Sequence, residues 1–302
     1  MDLRRLQYFA VVAQELHFRR AAERLHIAQP GLSQQIKVLE RELGADLFDR
    51  GPQGVTLTAA GTVLLEEGVP LLGQLDRVEE RVRAVAEGRR RQLRVVHTRS
   101  VSGGLPDEVV HRFREQYPEV DVLVDSAWTT RNLQMLRAGE VEAAFIRLPL
   151  SDADDLQVLP LGRTEVVVAL PEKHPLTRRR ALDPADLTGL PLVSWPRAQA
   201  PGYFDDLQAR VWGDTAPEVV LWEPDPEHVL AAVAAGTGVS VLDRDRAMKL
   251  SPRGVTVRRF RITMTAEFGV AWSPHGLSTA LTDFLTICRD VAVTFRPAPP
   301  GR

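Results

Sequence analysis

The sequence lacks the features that mark disulfide-stabilised, metal-binding or membrane-embedded proteins. It contains one cysteine, Cys288, which excludes an internal disulfide and any cysteine-rich metal site. Cys288 lies in an apolar helical pattern that favours a buried thiol, since redox sensing through it alone would need a second subunit. The start MDLRRLQYF has no long apolar core or cleavage site, and the run VVVAL at 166–170 is too short to span a bilayer. We therefore expect a cytoplasmic protein with no membrane segment.

An excess of charge of either sign is also missing. The net charge is −2 over 302 residues, and acidic and basic side chains are nearly balanced over residues 1–58. Any contact with nucleic acid must therefore come from a local surface. The length suggests two or three domains, and 44% hydrophobic with 26% charged residues is typical of a globular protein.

Motifs for catalysis and cofactor binding are absent as well. The segment AAGTGVSV contains Gly236 and Gly238, but it follows a predicted helix and lacks the third glycine of a dinucleotide fingerprint. There is no GxxxxGK[ST] phosphate loop and no GxSxG nucleophile elbow, and the seven histidines lack the spacing of a metal site. The sequence therefore supports no enzyme, no cofactor and no resident metal.

The most informative stretch runs from residue 18 to residue 43. It predicts two short helices joined by a tight turn, and the adjacent Ala21 and Ala22 allow a close helix crossing. The second helix begins near Pro30, which is tolerated in a first helical turn. Its apolar stripe has helical spacing and is predicted to be buried; it consists of Leu32, Ile36, Leu39 and Leu43. The opposite face carries Gln34, Lys37 and Arg41, with Ser33 and Gln35 at its flanks. These side chains either read DNA bases or form an ordinary solvated surface.

The segment RAAERLHIAQPGLSQQIKVLERELGADLFDR, followed by VTLTAAG, resembles the amino-terminal domain of LysR-type transcriptional regulators. The resemblance implies a winged helix-turn-helix over residues 1–58 that binds double-stranded DNA. The residues that it assigns to the DNA interface are Gln29, Pro30, Ser33, Gln34, Lys37, Arg41 and Arg50. In this interpretation Arg50 contacts the minor groove or phosphate, and in the alternative it is a surface charge.

Two residues depart from the family pattern in the helix pair. Arg19 stands where the family usually has a capping Thr or Ser, so we expect it to remove a helix cap worth about 1 kcal/mol. Gly31 stands in place of a larger residue and is expected to loosen the recognition helix near its start.

A long helix is predicted over residues 59–88. Its apolar positions Leu71, Leu75, Val78, Val82 and Val85 follow a heptad spacing. A lone amphipathic helix could bury this seam against its own domain, but a seam next to a DNA-binding unit favours pairing with a second chain. In the family this helix is the dimerising linker, which implies a homodimer and, from two dimers, a homotetramer. Pro70 predicts a bend or a break in the helix.

Beyond residue 89 strands and helices alternate. Strands predicted at 93–98, 120–125 and 143–147 alternate with helices, which favours a mostly parallel sheet flanked by helices. A second alternating set includes strands at 164–170 and 255–260, and the chain returns through a strand at 268–273. LPDEVVHRFREQYPEV, LRAGEVEAAFIR and VLAAVAAGTGVSVL resemble the effector-binding domain of LysR-type regulators, which is similar to periplasmic binding proteins. The predicted fold class is therefore α/β, with a winged helix-turn-helix, a long linker helix and a two-lobed effector domain over residues 89–302. Lobe I comprises 93–161 and 269–302, and lobe II comprises 162–268.

The effector cleft is expected between the lobes, at the carboxyl ends of strands. The resemblance places the effector against Thr98, Arg99, Ser100, Ser102, Thr129, Arg147, Pro201 and Tyr203. The helix start after SVSGGLP and the two arginines suit an anion, and a carboxylate in particular. In the alternative interpretation Arg99 is a surface charge, Thr129 is a helix cap and Arg147 pairs with a carboxylate of the other lobe. FIRLPL and WPRAQAPGYF resemble the branch that senses intermediates of aromatic-compound degradation, from which Arg99 and Asn132 depart.

The family resemblance implies a DNA-binding transcriptional regulator. A small, anionic metabolite would bind in the cleft and change the contact of the regulator with RNA polymerase or the bending of its DNA. A solute-binding module without DNA binding is the alternative; it would usually carry a secretion signal and would lack the polar face at Gln34, Lys37 and Arg41.

Overall fold

The structure is a computed structural model that describes residues 2–51, 54–86, 91–101, 104–250, 253–274 and 277–294. It divides into two compact units, with the main division between residues 89 and 90. The elements of the first unit are α1 (Leu3–Glu15), α2 (Phe18–Arg24), α3 (Gln29–Leu43), β1 (Phe48–Gly51), β2 (Gly54–Leu57), α4 (Ala59–Val63) and α5 (Val69–Ala86). Within these described ranges, no helix combines the length and the apolar character that crossing a bilayer requires.

Helices α2 and α3 form the predicted pair. Ala21 and Ala22 of α2 are buried, as a close helix crossing requires. In α3, Leu32, Ile36 and Leu39 are fully buried, but Leu43 is 42% exposed, so its prediction as a core residue was wrong. Leu43 is the last residue of α3 and lies just before the left-handed Gly44 that ends the helix, where the core no longer covers it.

The prediction that Arg19 removes a helix cap was also wrong. Helix α2 starts at Phe18, one residue before Arg19, and its N-cap is His17. The backbone N–H of Arg20 donates to Nδ1 of His17 at 3.4 Å, so an imidazole takes the place of the usual hydroxyl. Arg19 lies inside the helix and pairs with Glu23 at 3.6 Å. The first turn of α2 is therefore capped despite the substitution.

Strands β1 and β2 form an antiparallel hairpin, the wing, beside the helix pair. Its base is fixed to the core through Phe48, whose ring packs 5.3 Å from Phe9 and 5.7 Å from Phe18, measured between ring centroids. Gly61 of α4 closes the other side, where a Cβ atom would lie only 2.1 Å from the carbonyl oxygen of Leu47. Only glycine fits this contact between α4 and the base of the wing.

The predicted long helix consists of three consecutive segments. A π-helical segment, Leu64–Gly68, joins α4 to α5 and ends two residues before Pro70. Proline cannot supply the backbone N–H of a regular helix and crowds the preceding turn, so a change of helical geometry here fits the predicted bend or break. Of the heptad positions, Leu71, Val78 and Val82 are 44%, 56% and 64% exposed within the chain. This part of the seam is therefore not buried by its own unit, whereas the Val85 side chain lies outside the described residues.

The second unit is built on a large mixed sheet. Its strands are β3 (Arg91–Thr98), β4 (Val120–Ala127), β5 (Ala143–Leu148), β6 (Gln157–Pro171), β7 (Ala181–Leu182), β8 (Leu192–Ser194), β9 (Val219–Trp222), β10 (Ser240–Asp243) and β11 (Val255–Trp272). Its helices are α6 (Leu105–Gln116), α7 (Thr129–Ala138), α8 (Pro201–Trp212), α9 (Pro226–Ala234), α10 (Arg244–Leu250) and α11 (Thr279–Thr294). The main sheet has the strand order β10-β6-β11-β5-β3-β4, with β7 beside β11, and β8 pairs with β9.

Two lobes share the long strands β6 and β11. In lobe I, β3, β4 and β5 are parallel, and helices α6 and α11 cover one face while α7 covers the other. In lobe II, α8 packs on one face, and α9 and α10 pack on the other. The register between β6 and β11 shifts where Phe268 pairs with Gly162 and Gly269 pairs with Pro160, which is where the sequence predicts the lobe boundaries.

The strand pattern of lobe II differs from the prediction in two ways. The segments 255–260 and 268–273 were predicted as separate strands, but β11 runs unbroken through both. The parallel arrangement predicted for the strands 93–98, 120–125 and 143–147 is confirmed by β3, β4 and β5. It does not extend into lobe II, where β6 is antiparallel to both β10 and β11. Between the two apolar segments lie the polar Arg261, Thr263 and Thr265, and even the apolar Ile262 is 85% exposed. The strand continues through them as it leaves one core and enters the other, so the sequence pattern predicts two strands where there is one.

The single thiol, on α11, is expected to be unreactive in the native protein. Cys288 is fully buried in the lobe I core, and burial raises the pKa of its thiol, while reaction requires the thiolate. Titration with dithiobis(nitrobenzoate) should therefore find no reactive thiol before guanidinium is added and one per chain afterwards. Complete labelling of the native protein within minutes would contradict this burial and favour the redox alternative.

Candidate functional site

One face of α3 presents long polar side chains to solvent. Gln34, Lys37 and Arg41 are exposed, as are Gln29 and Pro30 at the start of the helix, while Ser33 is half-buried. In the described part of the chain, the side chains of Gln34 and Lys37 have no hydrogen-bond or ion-pair partner, and Arg41 donates from Nε to the backbone carbonyl of Lys37 at 3.2 Å. The side chain of Arg50, on β1, lies outside the described residues.

The adjacent Gln35 has a different environment from Gln34. Its side-chain oxygen accepts a hydrogen bond from Nε of Arg5 on α1 at 3.2 Å, so it is used inside the unit. Arg5 also pairs with Glu42 near the end of α3. The helix thus has an inner polar contact that fixes α1 against α3, and an outer polar face on which the side chains of Gln34 and Lys37 have no partner among the described residues. A free face of Gln, Lys and Arg can pair with base edges and phosphates.

The second candidate site lies between the two lobes and centres on Arg147. Arg147 is the last residue but one of β5, at the carboxyl end of the strand, and is 1% exposed. Its guanidinium donates to Oγ of Ser100 at 3.0 Å, to the carbonyl of Ser100 at 3.3 Å and to Oγ1 of Thr164 at 2.9 Å. It also forms an ion pair of 2.7 Å with Asp243, at the end of β10 in lobe II. The backbone N–H of Arg147 donates to Oγ1 of Thr129 at 3.2 Å.

Asp243 and Thr164 complete this buried network from lobe II. The hydroxyl of Thr164 lies 2.7 Å from the second oxygen of Asp243, so both carboxylate oxygens have a partner. Burial raises the pKa of Asp243, while the charge of Arg147 and the hydrogen bond of Thr164 act in the opposite direction. The paired carboxylate predicted as the alternative for Arg147 is therefore present, and little of the guanidinium remains free for a ligand in this arrangement.

Tyr203 closes the network on the lobe II side. Its ring lies 5.6 Å from the guanidinium carbon of Arg147 and stacks on Trp195 at 6.0 Å. Its buried hydroxyl has no hydrogen-bond partner in the described residues, and burial raises the pKa of Tyr203. Pro201 begins α8 two residues earlier, and a Cβ on Gly202 would lie 2.6 Å from the carbonyl of Pro149. The start of α8 is thus held closely against the loop that follows β5.

Arg99 lies at an open part of the same interlobe region. Its guanidinium carbon lies 5.6 Å from the centroid of the Trp128 ring, and it pairs with Asp225 of lobe II at 2.5 Å. A cavity of about 410 Å³ adjoins this pair, and its lining includes His97 and Ser126 of lobe I. Arg99 is therefore neither an isolated surface charge nor a free cation.

The structure brings most of the predicted effector residues together, but not around one empty cavity. Ser100, Thr129, Arg147 and Tyr203 form the packed network, Thr98 is buried beside it at the end of β3, and Arg99 lines the cavity. Ser102 lies outside the described residues. Thr129 was alternatively predicted to be a helix cap, but its hydroxyl accepts from the Arg147 backbone instead.

Sequence reasoning missed the lobe II partners, Asp225, Asp243 and Thr164. A signal existed for Asp243, because it directly follows the apolar run VSVL, and polar residues at the ends of sheet strands often line sites. Asp225 precedes Pro226 and so resembles an ordinary helix cap, yet its side chain caps nothing in α9. No feature of the sequence indicates which arginine each aspartate contacts.

Comparisons with known proteins give matches both for the unit that contains the helix pair and for the two-lobed unit. Residues 3–62 match the family described as "Bacterial regulatory helix-turn-helix protein, lysR family", and residues 86–293 match "LysR substrate binding domain". The chain is 31% identical over 293 residues to the HTH-type transcriptional regulator AlsR of Bacillus subtilis (strain 168), with 95% of each chain covered. It is 30% identical over 301 residues to the Hca operon transcriptional activator HcaR of Escherichia coli (strain K12), covering 96% of this chain and 98% of the relative.

Solved structures show the same fold over the whole chain. The crystal structure of CbnR, a LysR family transcriptional regulator, superposes with a TM-score of 0.71 at 22% identity, covering 97% of this chain and 99% of CbnR. A full-length OxyR variant from Pseudomonas aeruginosa gives a TM-score of 0.62 at 27% identity, covering 99% of this chain and 97% of OxyR. These relatives are regulators, which confirms the prediction of a non-enzymatic protein and argues against a module that only binds solutes. The chain belongs to the LysR family of bacterial transcriptional regulators, with an amino-terminal DNA-binding domain and an effector-binding domain.

Proposed function

We propose that the outward face of α3 reads the promoter and that the arginines of the interlobe cleft respond to a small carboxylate. The observation that supports the first part is the contrast within α3, where Gln34 and Lys37 have no partner in the described chain while Gln35 is bonded to Arg5. The full set of proposed DNA contacts is Gln29, Pro30, Ser33, Gln34, Lys37, Arg41 and Arg50. Two such helices in a homodimer would reach two half-sites.

The proposal for the effector depends on how the lobes are joined. Arg99 and Arg147 both belong to lobe I, and each is paired with an aspartate of lobe II. A carboxylate that competes with either aspartate would favour another arrangement of the lobes, and a ligand shifts such an equilibrium only by its difference in affinity for the two states. The residues proposed to respond to it are Thr98, Arg99, Ser100, Ser102, Thr129, Arg147, Pro201 and Tyr203.

The assembly and its output follow from the same proposal. The exposed apolar positions on α5 support a dimer through the linker helix, and two dimers would form a homotetramer. The change of lobe arrangement would then alter the contact with RNA polymerase or the bending of the DNA, in the cytoplasm.

The test is fluorescence anisotropy of the full-length protein on its own promoter and on a scrambled duplex, at several salt concentrations. We expect a clear preference for the promoter and an affinity that falls as salt rises, because phosphate contacts release counterions. No binding at low salt would overturn the DNA proposal for this chain.

Lys37→Ala is expected to weaken binding to the promoter and to the scrambled duplex by a similar factor. The reason is that an exposed ammonium with no internal partner is suited to phosphate, so its loss should reduce the salt slope by about one. The same anisotropy titrations measure both quantities. A loss confined to the promoter would assign Lys37 to a base, and unchanged binding on both duplexes would remove it from the interface.

A further inference from the structure

The cavity beside Arg99 is lined by polar and charged side chains of both lobes. From lobe I it is lined by His97, Arg99 and Ser126, and from lobe II by Asp225, Glu227, His228 and Arg246. We call it the polar chamber. Its volume of about 410 Å³ is in the range of small-molecule sites. Among the described residues that the sequence assigned to the effector, only Arg99 lines it, so its described lining is largely unassigned.

The formal charges of the polar chamber cancel. Arg99 pairs with Asp225 at 2.5 Å, and Arg246 pairs with Glu227 at 2.5 Å. A dianion therefore has no uncompensated cation to bind. Both acids lie at the start of α9, in lobe II, while Arg99 belongs to lobe I, so one of the two pairs crosses between the lobes.

Both members of the pair that crosses between the lobes, Arg99 and Asp225, have hydrogen-bonding groups without a partner among the described residues. Within the described residues Arg99 donates only through NH1 to Asp225, which leaves its other N–H groups without an acceptor. Asp225 occupies the N-cap position of α9, but its carboxylate accepts nothing from the helix. The side chains of Arg99 and Asp225 are 43% and 31% exposed, so the pair is reachable from the chamber.

We propose that the polar chamber binds a zwitterion, a small molecule that carries both a carboxylate and an ammonium group, as a free amino acid does. The carboxylate takes the place of Asp225 on Arg99, and the ammonium binds Asp225 and Glu227. This assignment rests on the proposed function and narrows its effector from any carboxylate to this class. The ligand then replaces a direct pair between the lobes with a longer, bridged one.

The charge balance distinguishes a zwitterion from a plain carboxylate and from a plain amine. An inserted zwitterion leaves every charge of the crossing pair with a partner, because each end of the ligand meets the opposite charge. A plain carboxylate would satisfy Arg99 but displace Asp225 without giving it a new partner. A plain amine would bind Asp225 but leave Arg99 without a new partner. Each simple class therefore breaks the same pair but makes only one of the two charge-assisted contacts that the zwitterion makes, so both simple classes should bind more weakly.

The first experiment is isothermal titration calorimetry on the full-length protein with matched sets of probes. The probes are the twenty proteinogenic L-amino acids and, for each that binds, its des-amino carboxylate, its 2-hydroxy acid and its decarboxylated amine. For phenylalanine these are 3-phenylpropionate, 3-phenyllactate and phenethylamine. We expect at least one amino acid to bind, and its carboxylate and amine counterparts to bind at least tenfold more weakly.

Other outcomes would overturn the class or redefine it. Equal or tighter binding of the des-amino carboxylate would refute the zwitterion, as would binding by no amino acid at all. A hydroxy acid as tight as the amino acid would show that a neutral donor suffices and that the ammonium is not required, which also refutes it. Promoter anisotropy on the same preparation distinguishes the failure of this proposal from the failure of the proposed function. If the promoter is bound but the zwitterion is refuted, the DNA-binding proposal still holds and only the ligand class is wrong.

Asp225→Asn gives a second test, because it should change the affinity for the amino acid and the affinity for the des-amino carboxylate in opposite directions. The variant should lower the affinity for the amino acid at least tenfold and raise that for the des-amino carboxylate, because it removes the ammonium partner and the competitor for Arg99 together. Asparagine is also a favoured N-cap residue, so α9 should fold. Asp205→Asn, which breaks the exposed pair with Arg197 away from the chamber, is the control and should change neither affinity. A parallel loss of both affinities in Asp225→Asn would indicate a structural role only.

Discussion

Asp243→Ala is expected to lower the free energy of unfolding of the effector domain by about 3–5 kcal/mol. The substitution leaves Arg147 as a buried cation without its counter-ion, and removing one partner of a buried pair costs this much. Thr164 loses less, because its hydroxyl lies 3.4 Å from the carbonyl of Ala266 and can donate there. The effect is therefore mainly the desolvation of one guanidinium.

Tryptophan fluorescence during urea unfolding measures this effect on the correct unit. All five tryptophans lie between residues 128 and 272, so the signal reports on the effector domain and not on the DNA-binding domain. Asp243→Asn keeps an oxygen acceptor beside Arg147 and should lose less stability than Asp243→Ala. The double variant Arg147→Met, Asp243→Leu removes both charges and should recover most of the loss, since apolar replacement of a buried pair is often neutral. A loss below about 1 kcal/mol in Asp243→Ala would mean that water reaches Arg147 and that the network is not closed.

The two interlobe pairs differ in a way that suits different roles. Arg147 and Asp243 are almost completely buried, and the guanidinium joins Ser100 of lobe I to Thr164 and Asp243 of lobe II. Arg99 and Asp225 are partly exposed and adjoin the open chamber. An exposed pair typically contributes less than about 1 kcal/mol, so it can be exchanged at small cost. The buried pair holds the lobes together while the exposed pair meets the ligand.

The sequence predicted the DNA-binding unit more closely than the effector unit because the former depends on local signals. Ala21, Ala22, Leu32 and Ile36 follow helical spacing over short distances, and the same residues form the core of the helix pair. One error occurred at the end of α3, where Leu43 is exposed. The other occurred at the start of α2, where the ring of His17 accepts the capping hydrogen bond that a hydroxyl usually accepts. Both depend on a few neighbouring atoms that spacing does not describe.

The cleft could be predicted only in outline, because its contacts join residues far apart in the chain. The sequence indicated Arg147 at a strand end and left open whether it meets a ligand or a carboxylate of the other lobe. The choice of Asp243 depends on β6 and β11 passing through both lobes and placing β10 beside Thr164. β11 was predicted as two strands, and only residues 164–170 of β6 were predicted, so the geometry that joins Arg147 to Asp243 was not accessible from spacing alone.

Gln34→Ala is expected to weaken binding to the promoter by about five- to 150-fold, the range that corresponds to losing one bidentate base contact. Its effect on a scrambled duplex should be small, because a neutral amide contributes little to phosphate binding. The matched control is Gln35→Ala, which changes the same residue type one position away but removes the contact with Arg5 instead of an outward group. Anisotropy titrations of the two variants on both duplexes measure the difference.

The comparison of these two glutamines decides whether the outward face of α3 carries specificity. If Gln35→Ala weakens promoter binding as much as Gln34→Ala, the losses reflect the packing of α1 on α3, and the outward amide reads no base. If only Gln34→Ala loses promoter binding, the amide contacts a base edge, and the absence of a side chain at Gly31 has not prevented the start of α3 from entering the groove. Gly31 has no atom within 4 Å of the place where a Cβ would lie, so Gly31→Ala would add helix propensity without a clash and should strengthen binding in that second case.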